Sequence, residues 1–337
     1  MTPSTASRRH PASRLEGQVR SVVGPRLVSR GWTPRVVPFT GYGREDQVRL
    51  LGRVLLTPPG RAASEAGRGW RRFMSAPMPR VDVRVEVGDV VHVTRSDRDG
   101  YIDELVPGRF APGWVTARWS VADRPPVEAP VRVVAAGTRL GVVSDIDDTV
   151  IVTMLPRPLV AFRNAFLLHE DDRRPVQGMA RLYRRIARAY PDAPFVYLST
   201  GAWNVAPPLT RFLHRHGYPA GPMLLTDWGP TEQTFFRSGQ EHKRTQLRRL
   251  FEELPDVRWL LVGDDGQADP TIYGEAAREH PDNVAGVVIR QLSLGEQLAT
   301  KGTPLAAEEP GDPGLDMVTG EDGDVLDAEL RARGLLP

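Results

Sequence analysis

Gly141-Val142-Val143-Ser144-Asp145-Ile146-Asp147-Asp148-Thr149 is the stretch on which the reading of this chain turns. A short β-branched run opens onto acids and a threonine, the pattern of a buried strand that ends in a polar loop. A strand is therefore expected over Arg139–Asp145. The same rhythm returns downstream. Helix Met179–Tyr190 precedes strand Phe195–Ser199, helix Val205–His216, strand Met223–Thr226 and helix Gln240–Leu254. Strand Arg258–Val262, helix Thr271–Glu279 and strand Val284–Ile289 close the series. Pro191 and Gly217-Tyr218-Pro219 stand where helices should stop. Strands alternating with helices build a parallel sheet with helices on both faces. The fold class is α/β over residues 137–291.

Upstream the pattern is that of strands alone. Gln47–Thr57, Val81–Thr94, Gly113–Val121 and Pro130–Val134 are Val-rich and partly alternating. Turn signals such as Pro58-Pro59-Gly60 and Asp99-Gly100 separate them. An antiparallel β-sandwich over residues 31–136 is the expectation. Residues 1–30 read as a flexible basic arm. Residues 292–337, rich in Gly, Pro and acids, read as a loosely held tail.

A chain of 337 residues has room for two domains. No run approaches the roughly 20 apolar residues that span a bilayer. Met1–Arg20 lacks the apolar stretch of a secretory signal. There is no cysteine, which excludes disulfides, thiolate zinc sites and cysteine nucleophiles. These features predict a soluble cytoplasmic protein. The 44 basic residues nearly balance the 42 acidic ones, which argues against nucleic acid as a partner. All but two of the basic residues are arginines, so Lys243 and Lys301 stand out: an ammonium point charge and a guanidinium fork are different tools.

Ligands of an open parallel sheet bind beyond the carboxyl ends of its strands. The first strand delivers Asp145, Asp147, Asp148 and Thr149 there. The second delivers Ser199-Thr200-Gly201, and the fourth Gly263-Asp264-Asp265-Gly266-Gln267-Ala268-Asp269. Lys243 stands on the helix between the last two groups. Acids this crowded repel one another unless a cation or a proton relieves them. Oxygen ligands alone suit a hard ion such as Mg²⁺. A lysine beside them would neutralise phosphoryl oxygens, and a carboxylate can attack phosphorus.

The ordered set resembles the haloacid dehalogenase (HAD) superfamily. Asp145, Asp147 and Thr149 fit its first motif, Ser199 its second, Lys243 its lysine, and Asp264 with Asp265 or Asp269 its acidic fourth. A narrower likeness lies in Ser144–Thr149, in Gly263–Pro270 with Ile272-Tyr273, and in Phe39-Thr40-Gly41-Tyr42-Gly43. These resemble the App1 phosphatidate phosphatase family (DUF2183), which places a β-rich domain before the catalytic one. Ser199-Thr200-Gly201-Ala202-Trp203-Asn204 departs from that family's SNSPWN segment at three positions, and Asp265 stands where many members have Ser.

The resemblance implies a HAD-like Rossmannoid sheet with a minimal cap and a Mg²⁺-dependent phosphatase. Asp145 would be nucleophile and metal ligand. Asp147 would be general acid and then base, offering its backbone carbonyl to the metal. Ser199 would hold phosphoryl oxygens and Lys243 would screen their charge. Asp264 would complete the metal site, with Asp265 or Asp269 in support. The implied substrate is phosphatidate, a phospholipid, or another bulky phosphoester such as a phosphoprotein or a polynucleotide end. Peripheral contact with a membrane is the partner this allows. A non-catalytic membrane adaptor is the reading from another class, and it has no need of a complete acid–lysine set.

Plainer readings cover the rest. An EF-hand starting at Asp145 fails because Val150 and Pro156 replace its Gly and Glu. Asp97-Arg98-Asp99-Gly100 reads as a tight turn, and His214 with His216 as a cationic helix end. Arg181, Arg184, Arg185 and Arg188 form a basic helix face, solvated or set against anionic lipid. Neither the stretch after Thr149 nor that between Ser199 and Lys243 holds a full cap domain, so the site should be open to bulky substrates. Phe162, Phe166 and Trp203 are candidates for an apolar lip, with core packing as the alternative.

Overall fold

The computed structural model describes residues 29–58, 76–152, 173–226, 232–266, 268–293, 295–296 and 317–337. The arm over residues 1–28, Phe162, Phe166, Gln267 and Lys301 lie outside them. By compactness the chain divides into two units interleaved in sequence. One comprises Met1–Pro38, Leu51–Glu104 and Arg118–Glu128; the other comprises Phe39–Leu50, Leu105–Ala117 and Ala129–Pro337.

The N-terminal strands are β1 (Thr33–Pro38), β2 (Gly41–Arg44), β3 (Gln47–Thr57), β4 (Ala76–Pro77), β5 (Asp82–Val87), β6 (Val90–Arg95), β7 (Tyr101–Pro107), β8 (Gly113–Val121) and β9 (Val127–Val134). They form one nine-stranded sheet in the order β1-β3-β2-β9-β8-β5-β6, with β4 and β7 also paired to β3. Strand alternation explains the inward face. Val83, Val85 and Val87 of β5 are buried while Asp82 and Arg84 face solvent. The stretch expected as one strand over Val81–Thr94 is a hairpin that turns at Gly88, where φ is +57°. The sheet is mixed: β2 runs antiparallel to β3 but parallel to β9. Gly41 and Gly43 permit that packing, because a Cβ at either would lie 2.6 Å from the Arg49 carbonyl oxygen or 2.2 Å from that of Gln47.

The second unit carries a six-stranded parallel sheet. Its strands are β10 (Leu140–Ser144), β11 (Phe195–Ala202), β12 (Met223–Thr226), β13 (Arg258–Asp264), β14 (Val284–Arg290) and β15 (Met317–Gly320), in the order β12-β11-β10-β13-β14-β15. Its helices are α1 (Met179–Ala189), α2 (Ala206–Arg215), α3 (Glu232–Glu253), α4 (Asp269–Glu279) and α5 (Gly323–Ala332). The middles of the central strands are apolar because both their faces are covered. Val142, Val143, Leu261 and Val262 are fully buried, each worth about 1.5–3 kcal/mol. The chain leaves β10 toward β11 and β12, then returns to build β13, β14 and β15 on the other side. That reversal opens a crevice beyond the carboxyl ends of β10 and β13, where ligands of such sheets bind.

The segment 292–337, expected to be a loose tail, is corrected over 317–337. There β15 extends the sheet from β14, and α5 packs on α1. Asp322 caps α5 by accepting from the backbone N–H groups of Asp324 and Val325. Arg181 and Arg185 of the basic α1 face pair with Asp324 and Asp327, and Arg184 donates to the carbonyls of His216 and Gly217. Three of that face's four arginines are therefore engaged within the unit. Helix α3 begins at Glu232, ahead of the expected Gln240. At its far end Glu253, nearly buried, takes a two-pronged contact from Arg49 of β3, with Nε 2.9 Å from each carboxylate oxygen.

Candidate active site

Asp145 is the first residue past β10, and its backbone N–H donates to the Val262 carbonyl of β13. The chain then turns sharply. Val150 and Ile151 N–H groups both return to the Ile146 carbonyl, and Asp148 takes a left-handed φ of +56°. From the adjoining strand, Asp264 ends β13, fully buried, with Oδ1 accepting from Gly266 N–H at 2.7 Å. Asp269 opens α4, where the unpaired N–H groups of a helix start favour an anion. Gly263 makes room for it: a Cβ there would sit 2.4 Å from Asp269 Oδ2.

Lys243 joins these elements. It is 2% exposed, and its Nζ donates to Asp145 Oδ1 at 2.7 Å and to Asp269 Oδ1 at 2.5 Å. Burial alone would lower its pKa, but the Asp145 and Asp269 carboxylates reverse that and hold it protonated well above its ordinary range. Ligand oxygens of Asp145, Asp264 and Asp269 lie within 4.8 Å of one another. Burial, helped by the neighbouring acids, pushes the carboxyls of Asp145 and Asp264 well above the usual range, with Lys243 opposing.

A metal fits this donor set. Among the described residues, Asp145 Oδ2, Asp264 Oδ2 and Asp269 Oδ2 are all buried without a hydrogen-bond partner. One lysine cannot neutralise three carboxylates, and buried unpaired acceptors are costly. An all-oxygen set with unfilled lone pairs suits a hard divalent cation.

The remaining expected residues fall nearby in different ways. Asp147, partly exposed, points its Oδ2 to Ser199, whose Oγ donates at 3.2 Å. Burial raises its carboxyl pKa against the opposing pull of Arg173, Lys243 and Ser199. Ser199 sits at an irregularity where β11 shifts register against β12 between Leu198 and Ala202, and it accepts from Gly201 N–H at 3.0 Å. Thr149 is fully buried, and its Oγ1 has no partner among the described residues. Asp265 stands apart from the acidic group. Its Oδ1 accepts from Leu292 N–H at 2.9 Å, whereas Asp269 lies with Asp145 and Asp264. Trp203 stacks on Phe39, with centroids 4.2 Å apart.

Two supports escaped the sequence reading. Tyr183 OH donates to Ser144 Oγ at 2.6 Å, and Ser144 Oγ donates to the Asp145 carbonyl at 2.6 Å. This relay fixes the backbone of the acid at the strand end. Arg290, at the end of β14, donates to the Asp148 carbonyl at 2.8 Å. Its place at a strand's carboxyl end was the available signal.

Residues 140–291 match the family model described as phosphatidate phosphatase APP1, catalytic domain. An uncharacterized protein of Schizosaccharomyces pombe is 25% identical over 191 residues, which cover 52% of this chain and 31% of that protein. Phosphatidate phosphatase APP1 of Saccharomyces cerevisiae is 26% identical over 156 residues, 46% of this chain and 26% of the yeast protein. The chain thus spans less than about a third of the length of these curated relatives. Among solved structures, a carbohydrate acetylesterase from Xanthomonas citri aligns at 12% identity with a TM-score of 0.30, covering 90% of this chain and 76% of its own. PhoD aligns at 8% identity with a TM-score of 0.32, covering 77% and 71%. Scores of that size carry no structural argument.

Proposed function

We propose, from the match of residues 140–291 to the App1 phosphatidate phosphatase catalytic-domain family, that the chain is a Mg²⁺-dependent phosphomonoester hydrolase of HAD-like architecture, working through an aspartyl-phosphate with phosphatidate as the leading substrate. The observation that carries this reading is the buried group of Asp145, Asp264 and Asp269, tied by Lys243 and left with three unpartnered carboxylate oxygens.

Asp145, Asp264 and Asp269 would hold the ion, which when bound supplies charge neutralisation for the phosphoryl oxygens. A carboxylate oxygen of Asp145 forms the new bond to phosphorus as the bond to the leaving alkoxide breaks. Asp147 enters this step protonated and gives its proton to the alkoxide to release diacylglycerol. It then takes a proton from water, whose oxygen attacks the phosphorus of the aspartyl-phosphate. The bond to Asp145 breaks, inorganic phosphate leaves, and both carboxyls return to their starting forms. Lys243 and Ser199, with the nearby backbone N–H groups, hold the transferring group in place. Among the described residues no helix is long and apolar enough to cross a membrane.

Purified protein with Mg²⁺ should hydrolyse a generic phosphomonoester. Asp145→Asn should lower the rate by at least about a thousandfold with an unchanged circular dichroism spectrum. A loss smaller than about tenfold would sink the nucleophile assignment. Phosphatidate vesicles, phosphopeptides and 3′- or 5′-phosphorylated oligonucleotides, run side by side, then decide the substrate. Preference for either of the latter two overturns phosphatidate.

A further inference from the structure

Arg290 is 6% exposed, and a buried guanidinium must find acceptors or destabilise the fold. It finds three in different parts of the second unit. One amino group donates to the Asp148 carbonyl at 2.8 Å, the other to Glu296 Oε1 at 2.7 Å, and Nε donates to the Glu321 carbonyl at 3.1 Å. Glu296 is itself fixed, because its Oε2 accepts from both the N–H and the hydroxyl of Ser293. Glu321 follows β15, and Gln291 N–H donates to the carbonyl of Gly320 beside it. The guanidinium is thus oriented by Glu296 and Glu321 and directed at residue 148.

Asp148 is a demanding place to grip. It is the residue after Asp147 and carries the left-handed φ of +56°, a conformation that costs a non-glycine residue about 1–2 kcal/mol. Without a fixed acceptor geometry the turn would relax toward ordinary backbone angles and move Asp147 away from Ser199. We propose that Arg290 is a positioning residue of the phosphatase site: by holding the Asp148 carbonyl it fixes the loop that presents Asp147, and it does so with the help of Glu296 and Glu321, which lie beyond the segment matched to the family. The catalytic half of this inference rests on the phosphatase reading.

The test uses the full chain and the variants Arg290→Lys and Glu296→Gln. Lysine keeps the charge but cannot fork to three acceptors; glutamine keeps an acceptor but not the charge. Hydrogen exchange at Asp148, Val150 and Ile151 should quicken by about tenfold in both variants, while Val143 and Leu261 in the sheet stay protected. Because kcat/KM reports the step in which the alkoxide leaves, it should fall by about 10- to 100-fold for an alkyl phosphate but by less than about threefold for p-nitrophenyl phosphate, whose leaving group needs no proton. Unchanged loop protection overturns the proposal whatever the rates do. Equal losses on the two esters, or none on either, overturn its catalytic half. If the unaltered protein hydrolyses neither ester, the phosphatase reading falls, and the exchange data still decide whether Arg290 holds the loop.

Discussion

Lys243 shows how tightly a single residue is specified here. A surface lysine adjusts to its surroundings, whereas this one is enclosed between Asp145 and Asp269 on two different elements. Its neighbour on α3, His242, makes a testable contrast. Burial lowers the His242 imidazole pKa to about 4, helped by the Lys243 charge and only partly offset by the Leu224 carbonyl. A folded pKa below the unfolded value near 6.5 means the fold favours the neutral ring. The associated stability is fully present above pH 6.5 and is lost as pH falls toward 4. Melting temperatures of the unaltered protein should therefore drop faster across that window than those of His242→Gln. Parallel curves would refute the claim. Lys243 was legible from sequence because lysine is rare in the chain. His242 was not, since nothing in its local sequence reveals that it faces inward.

At the scale of elements, the last strand and helix carry the clearest lesson. Acidic and glycine-rich sequence after Gln291 looked unstructured, yet Gly323 lies so close to α1 that a Cβ there would come within 2.2 Å of Met179 N. Small residues that allow backbones to meet resemble loop residues when read in one dimension. The Asp322 cap offers a measurement. Asp322→Ala should cost about 1 kcal/mol by leaving the Asp324 and Val325 N–H groups unpaired, seen as a lower urea midpoint with the slope unchanged. No shift in midpoint would mean that α5 contributes nothing to the cooperative unit. The alternation of strand and helix from Leu140 to Arg290 was readable for the opposite reason: its helices show their own period and its strands, even the four-residue β12, stand out as apolar runs between them. Short strands such as β2, built on Gly-Tyr-Gly, show none.

At the scale of the molecule, the acidic group leads to a prediction about stability. Three buried carboxylates against one lysine make the metal-free fold electrostatically unfavourable, so an ion that binds the folded state alone must stabilise it. With EDTA the melting temperature should fall, and saturating Mg²⁺ should restore about 2–3 kcal/mol at a hundredfold excess over the dissociation constant. Asp264→Asn should blunt that response. A melting curve indifferent to both EDTA and Mg²⁺ would exclude the ion. The sequence by itself determined the α/β series, the order of the acidic motifs and the rarity of lysine, because periodicity and residue chemistry are written locally. Only the tertiary structure decided that Asp269 rather than Asp265 meets Asp145 and Asp264, that Arg181 and Arg185 of α1 pair with α5, and that Arg290 reaches Asp148. Those are distances between parts of the chain far apart in sequence, set by the register of strands and the packing of helices.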